Sequence, residues 1–168
     1  MGELFDKLAN YGNSGIYPFH MPGHKRQKTV DFNPYKIDIT EIEGFDNLHH
    51  AEGVLLEAQK KAEKLYGSEE SHFLINGSTA GILSAVSACA KKTVLIARNC
   101  HKAVYHAALI RNLDVYYVYP EIQEEFMLNG GINPADVERS LEEHPEIEAV
   151  VITSPTYDGI VSDVKRIA

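Results

Sequence analysis

From residue 50 onward the apolar positions recur with two alternating periods. Spacings of three to four residues predict helices over Ala51 to Tyr66, Thr79 to Ala90, Lys102 to Asn112 and Pro134 to Glu143. Short apolar runs predict strands at Ser71 to Ile75, Thr93 to Ala97, Val115 to Tyr119 and Ala149 to Thr153. Helix and strand taking turns is the pattern of an α/β domain with a mostly parallel sheet. The ends are punctuated as this requires. Asn133 before Pro134 starts one helix, Pro145 stops it, and Gly67 closes the helix that ends at Tyr66.

Residues 1–49 follow no such pattern. After one short amphipathic turn (Leu4, Phe5, Leu8) they carry Pro18, Pro22 and Pro34 among Gly12, Gly15, Gly23 and Gly44, which predicts an extended arm ahead of a domain at 50–168. There is no internal repeat or low-complexity tract.

Composition narrows the partners. With 44% hydrophobic and 24% charged residues, 168 residues suffice for one globular domain. The net charge of −8, with 24 acidic residues against 16 Lys and Arg, argues against a nucleic-acid backbone and for a small ligand. No run approaches the ~18 apolar residues of a membrane span, and Met1-Gly2-Glu3-Leu4-Phe5 lacks a signal-peptide pattern. Cys89 and Cys100 have no metal or redox spacing and read as reduced thiols, so a cytoplasmic location is expected.

The chemistry concentrates at Asn76-Gly77-Ser78-Thr79-Ala80-Gly81, between the apolar run His72-Phe73-Leu74-Ile75 and a small-residue helix. A strand that stops at a glycine turn and opens into a helix presents free N–H groups, two hydroxyls and the positive end of a helix dipole. That suits a single phosphate, because neither P-loop nor G-x-G-x-x-G spacing is present. The alternative is that Ser78 or Thr79 merely N-caps a core helix. Ligands of parallel α/β sheets collect at the strands' carboxyl ends. There the sequence also places Arg98-Asn99-Cys100-His101 and Ser154-Pro155-Thr156-Tyr157-Asp158-Gly159. His101 can stack on a flat aromatic ligand held by the phosphate cradle, or cap the helix that follows it.

These residues, with His20-Met21-Pro22-Gly23-His24-Lys25 and Asp38-Ile39-Thr40-Glu41, resemble the N-terminal part of the Orn/Lys/Arg decarboxylases. These are pyridoxal-phosphate enzymes of the aspartate-aminotransferase-like fold (fold type I). The resemblance spans nearly the whole chain, five motifs in order. It implies an incomplete large domain of that fold, in a lyase acting on lysine, arginine or ornithine as a homo-oligomer. Gly77, Ser78 and Thr79 would hold the cofactor phosphate, His101 would stack on the pyridine ring, and Thr156 would lie near the cofactor. His20 and His24 would serve the substrate site or the subunit contact.

Decarboxylation on pyridoxal phosphate also needs a carboxylate at the ring nitrogen and a lysine for the Schiff base. In the resembled family both follow the Thr156-Tyr157-Asp158-Gly159 loop, whereas this chain ends at Ile167-Ala168. The expectation is a truncated part of a larger enzyme, inactive as the isolated chain. A non-catalytic binding or interaction module of the same descent, or a fragment of another fold-type-I pyridoxal-phosphate enzyme such as an aminotransferase, is the alternative. Lys102 opens a helix and Lys91-Lys92 end one, which makes each a poor candidate for the covalent lysine. No metal site is expected. Pro22-Gly23 breaks any helix that would align His20 with His24, and His49-His50 diverge too far to chelate one ion. Tyr116, Tyr117 and Tyr119 read as half-buried sheet.

Overall fold

The computed structural model describes residues 3–17, 19, 25, 27, 31, 33, 36 and 38–168. The chain divides into two compact units, Met1–Leu65 and Tyr66–Ala168.

In the first unit, helix α1 (Glu3–Gly12) extends the expected turn to ten residues. Its apolar stripe, Leu4, Phe5, Leu8 and Tyr11, is exposed. Helix α2 (Val54–Tyr66) starts three residues later than its apolar spacing predicts. The cause is Asp46, at φ +69°, whose carboxylate accepts N–H bonds from Asn47, Glu52, Gly53 and Leu55 at 2.8–3.1 Å. Those bonds hold Glu52 and Gly53 in a turn ahead of α2 and, led by the Glu52 amide, pull the Asp46 pKa down to about 2. After α2, Gly67 takes φ +67°, the left-handed stop its position requires.

The second unit contains α3 (Gly77–Cys89), β1 (Thr93–Ala97), α4 (Lys102–Arg111), β2 (Asp114–Val118), β3 (Ile122–Gln123), β4 (Leu128–Asn129), α5 (Pro134–Glu143), β5 (Ala149–Val151) and α6 (Val164–Ile167). Its main sheet has the order β2-β1-β5 and is parallel throughout, Val94 pairing with Val115 on one side and Ala149 on the other. All five β1 residues are buried, so both faces of the central strand are covered, as the unbroken run Thr93-Val94-Leu95-Ile96-Ala97 demands. Val86 of α3, Val104 and Ala107 of α4 and Val137 of α5 close the core around it. The cap of α5 is as expected, with the Asn133 side chain accepting the Ala135 N–H at 3.0 Å and Pro134 in the first turn. No helix among the described residues is long and apolar enough to cross a membrane.

Two features depart from the sequence expectation. Ser71 to Ile75 is not a strand, and neither edge of the described sheet pairs with it. Phe73, Leu74 and Ile75 remain 45–70% exposed. An apolar run becomes a strand only where a ladder partner satisfies its backbone. Leu74 lies instead against α3, where a Cβ on Gly81 would stand 2.6 Å from Leu74 Cδ1. The second departure is the β3–β4 hairpin, which has no counterpart in the expected elements. It requires Gly130, since a Cβ there would stand 2.9 Å from the Glu121 carbonyl. Of the three tyrosines expected in half-buried sheet, Tyr116 on β2 is half-buried, stacked on His144 at 4.0 Å with its hydroxyl donating to Glu146 at 2.6 Å, whereas Tyr117 and Tyr119, the latter beyond the end of β2, are exposed.

Candidate functional site

Topology brings two helix N-termini to one rim. The short connection Ala90-Lys91-Lys92 joins the end of α3 to the start of β1, and residues 98–101 join the end of β1 to the start of α4. With α3 and α4 packed together, both helices therefore begin at the carboxyl end of β1. Strand β5 runs parallel to β1, so the Ser154 to Gly159 loop leaves the sheet at the same end.

The first corner of this rim is the start of α3. The helix opens at Gly77, two residues before the expected Thr79, and Gly77 takes φ +69°. Asn76 stands at the N-cap without a side-chain cap bond. Ser78 and Thr79 are exposed residues of the first turn rather than caps. The turn also lacks any acidic residue to offset the positive end of the helix dipole. An uncapped N-terminus with two adjacent hydroxyls has the donor set of a phosphate site.

The second corner is the loop Arg98-Asn99-Cys100-His101. Its start is tied to β2 by Arg98 N–H donating to the Val118 carbonyl at 2.8 Å. Cys100 ties it to β5, donating through Sγ to the Val151 carbonyl and accepting from Thr153 Oγ1, both at 3.5 Å. Burial pushes the Cys100 thiol up, outweighing the Thr153 bond. His101 is the N-cap of α4, its Nδ1 accepting the Ala103 N–H at 3.1 Å. The capping role weighed from the sequence is therefore present. It also fixes the ring, because an Nδ1 that accepts leaves the proton on Nε2. Beside it, Asn99 Oδ1 is buried without a hydrogen-bond partner among the described residues.

The third corner is less open. Thr156 is buried, and its Oγ1 accepts the Ile160 N–H at 3.1 Å, which closes the turn back from Tyr157 to Gly159. The Ser154–Pro155 peptide is cis. His101, Thr153, Ser154 and Pro155 border a groove of ≈ 710 Å³ whose lining continues over Val86 and Val150.

Lys91 and Lys92 precede β1 and so lie at its amino end, opposite His101. Lys102 is the exposed first residue of α4. His49 and His50 sit in an exposed 3₁₀ turn, Leu48–His50. His20 and His24 lie outside the described residues. Sequence reasoning missed Tyr105, half-buried one turn into α4, whose hydroxyl meets both the side chain and the carbonyl of Arg98. Its only signal was a tyrosine four residues after His101 on a helix, which is too common to single out.

Comparison with known proteins agrees with this architecture. The family model for "Orn/Lys/Arg decarboxylase, major domain" matches residues 3–168. Among relatives, the uncharacterized protein YaaO of Bacillus subtilis is 36% identical over 98% of this chain and 36% of its own length. An arginine decarboxylase of Bacillus cereus is 31% identical over 98% of this chain and 38% of its own. The inducible lysine decarboxylase of Escherichia coli is 30% identical over 94% and 25%. The chain thus spans about a third of the length of the first of these relatives, and less of the last. The constitutive lysine decarboxylase of Escherichia coli has a solved structure with the same fold, at TM-score 0.59 and 24% identity, covering 95% of this chain and 26% of that one. Lysine decarboxylase A from Pseudomonas aeruginosa superposes at TM-score 0.60. The α/β unit with its parallel sheet has the fold of these lysine decarboxylase structures, and the chain belongs to the Orn/Lys/Arg decarboxylase family.

Proposed function

We propose that this chain is the cofactor-holding N-terminal portion of a pyridoxal-phosphate-dependent decarboxylase of basic amino acids, cytoplasmic and homo-oligomeric, and inactive by itself. The observation that carries the reading is the start of α3, where Gly77 at φ +69° and an uncapped Asn76 leave N–H groups and the Ser78 and Thr79 hydroxyls free for a phosphate dianion. The donor set fits the cofactor's phosphate ester: neutral donors at a helix N-terminus. Pyridoxal phosphate supplies, when bound, an electron sink for the pair left at Cα as carbon dioxide departs. The chain's own part is to bind and orient. Gly77, Ser78 and Thr79 anchor the phosphate, His101 presents a ring face whose tilt the Ala103 amide sets, and Thr156 shapes the neighbouring loop. His20 and His24 serve the substrate site or the contact with a second subunit. Lysine, arginine and ornithine are the substrate class, supported by relatives named arginine decarboxylase and lysine decarboxylase.

Calorimetric titration with inorganic phosphate and with pyridoxal phosphate separates the two anchors. Charge-assisted bonds are worth ~1.5–3 kcal/mol each, so replacing both Ser78 and Thr79 by Ala lowers affinity for both ligands by roughly a hundredfold or more. His101→Ala leaves phosphate binding intact and weakens pyridoxal phosphate. Equal losses for both ligands in His101→Ala would sink the stacking assignment.

A further inference from the structure

We propose that Tyr105 is a positioning residue for His101, holding the loop from Arg98 to His101 so that the imidazole keeps one orientation and one tautomer. The proposal rests on the reading of His101 as the ring-stacking group. Tyr105 stands four residues after His101 on α4, so one helix carries both the held ring and the group that fastens its loop. Its hydroxyl donates to the Arg98 carbonyl at 2.7 Å and accepts from Arg98 Nη1 at 2.9 Å, a closed ring of bonds between helix and loop. The Arg98 guanidinium lies 5.3 Å from the Tyr105 ring centre and 5.5 Å from that of Tyr117 on β2, and the two tyrosine rings stack at 6.3 Å. Arg98 is therefore held between α4 and β2 by its main chain and by its side chain.

The opposite flank of the loop is held by the Cys100 N–H bond to the Ala97 carbonyl at 3.0 Å and, among side chains, by a weaker set, the two 3.5 Å sulfur contacts of Cys100. Asn99 Oδ1 adds nothing, since it has no partner among the described residues. The Tyr105 hydroxyl is thus the side-chain group that ties both the carbonyl and the guanidinium of Arg98 to the helix that His101 caps, beside the main-chain bonds of Arg98 and Cys100. If the loop loosens, the 3.1 Å bond from the Ala103 amide to His101 Nδ1 loses its alignment, and both the ring's tilt and its Nε2–H tautomer are released.

Tyr105→Phe keeps the ring under Arg98 and removes only the hydroxyl. In the ligand-free protein, nitrogen NMR of labelled histidine should show His101 as a fixed Nε2–H tautomer in the wild type and as a tautomer average in the variant. Hydrogen exchange of the Ala103 amide should quicken in parallel. With ligands, pyridoxal phosphate affinity should fall roughly three- to tenfold, the worth of one ordinary hydrogen bond, while inorganic phosphate affinity is unchanged. In a His101→Ala background Tyr105→Phe should have no further effect on pyridoxal phosphate, which a merely structural role does not predict. Arg98→Gln, which spares the bond from the hydroxyl to the Arg98 carbonyl, gives a smaller change of the same kind and serves should Tyr105→Phe not fold. Unchanged His101 signals in the variants, or equal losses for both ligands, would overturn the proposal. If the wild type binds no pyridoxal phosphate, the stacking reading fails while the His101 signals still decide the role of Tyr105.

Discussion

Glu148 accepts the backbone N–H of Lys92 at 2.6 Å, across 56 residues of sequence. The same carboxylate oxygen takes the Lys91 and Thr93 amides at 2.7 and 3.2 Å, so one side chain closes the turn from α3 into β1 just where β5 joins the sheet. Led by the Lys92 amide, these donors hold the Glu148 pKa below its usual value of 4.5. The folded state then binds this proton more weakly than the unfolded one. The stabilisation is complete above the unfolded pKa and is lost as pH falls through the lower, folded one. Glu148→Gln should melt at a lower temperature at pH 7, and its decline between pH 6 and pH 3 should be shallower than the wild type's. Circular-dichroism melts across that range test this, and parallel curves would mean the carboxylate adds nothing.

Gly77 offers a cleaner backbone test. Among the described residues, no atom outside its own helical turn and its chain neighbours lies within 4 Å of a Cβ at Gly77, so Gly77→Ala meets no clash and its cost is conformational. A non-glycine residue at φ +69° loses about 1–2 kcal/mol. Urea unfolding should show a loss of that order. Phosphate affinity should drop too, because relief of the strain at negative φ turns the first amides of α3 away from the anion. A variant with wild-type stability would show that the left-handed turn is not needed.

The sequence was most legible where a signal is local. Asn133 with Pro134 marked the start of α5, Gly67 the stop of α2, and four consecutive apolar residues after Thr93 the central strand. It was least legible where a partner decides. Ser71 to Ile75 has the composition of a strand, yet composition cannot supply a neighbouring ladder. Asp46 and Glu148 look like surface carboxylates until the fold brings three or four amides to each. At the rim, the motifs identified the glycine turn and His101. The capping bond to Ala103, the buried turn closed by Thr156 and the Tyr105 fastening depend on rotamers that no spacing encodes.

The lysines nearest the rim in sequence lead to a prediction about chemistry. Lys91 and Lys92 sit at the amino end of β1, and a five-residue strand at ~3.3 Å per residue separates them from His101 by roughly 16 Å. That exceeds a lysine's reach. Lys102, on α4, is exposed in the turn that the His101 ring caps. The isolated chain with added pyridoxal phosphate should release no carbon dioxide from lysine, arginine or ornithine. Borohydride should trap no adduct at a unique lysine. A single modified lysine in a peptide map, together with carbon dioxide release, would overturn this.

The last prediction concerns β5. Among the described residues its only ladder is to β1, which leaves the far edge of Ala149–Val151 without a partner strand. Beside that edge runs the ≈ 710 Å³ groove, where Ile82, Val86, Val150 and Ile152 present apolar surface. An open edge next to an apolar face is the arrangement that recruits another strand or another copy. The isolated chain should therefore associate with rising concentration in sedimentation velocity. Ala85 lines the same groove, is exposed on α3 and tolerates a longer side chain on helical grounds. Ala85→Glu sets a charge in the groove without emptying the core, so it should shift the equilibrium toward monomer while leaving the melting temperature nearly unchanged. A wild-type chain that sediments as one monomeric species at every concentration would show that this face does not drive association.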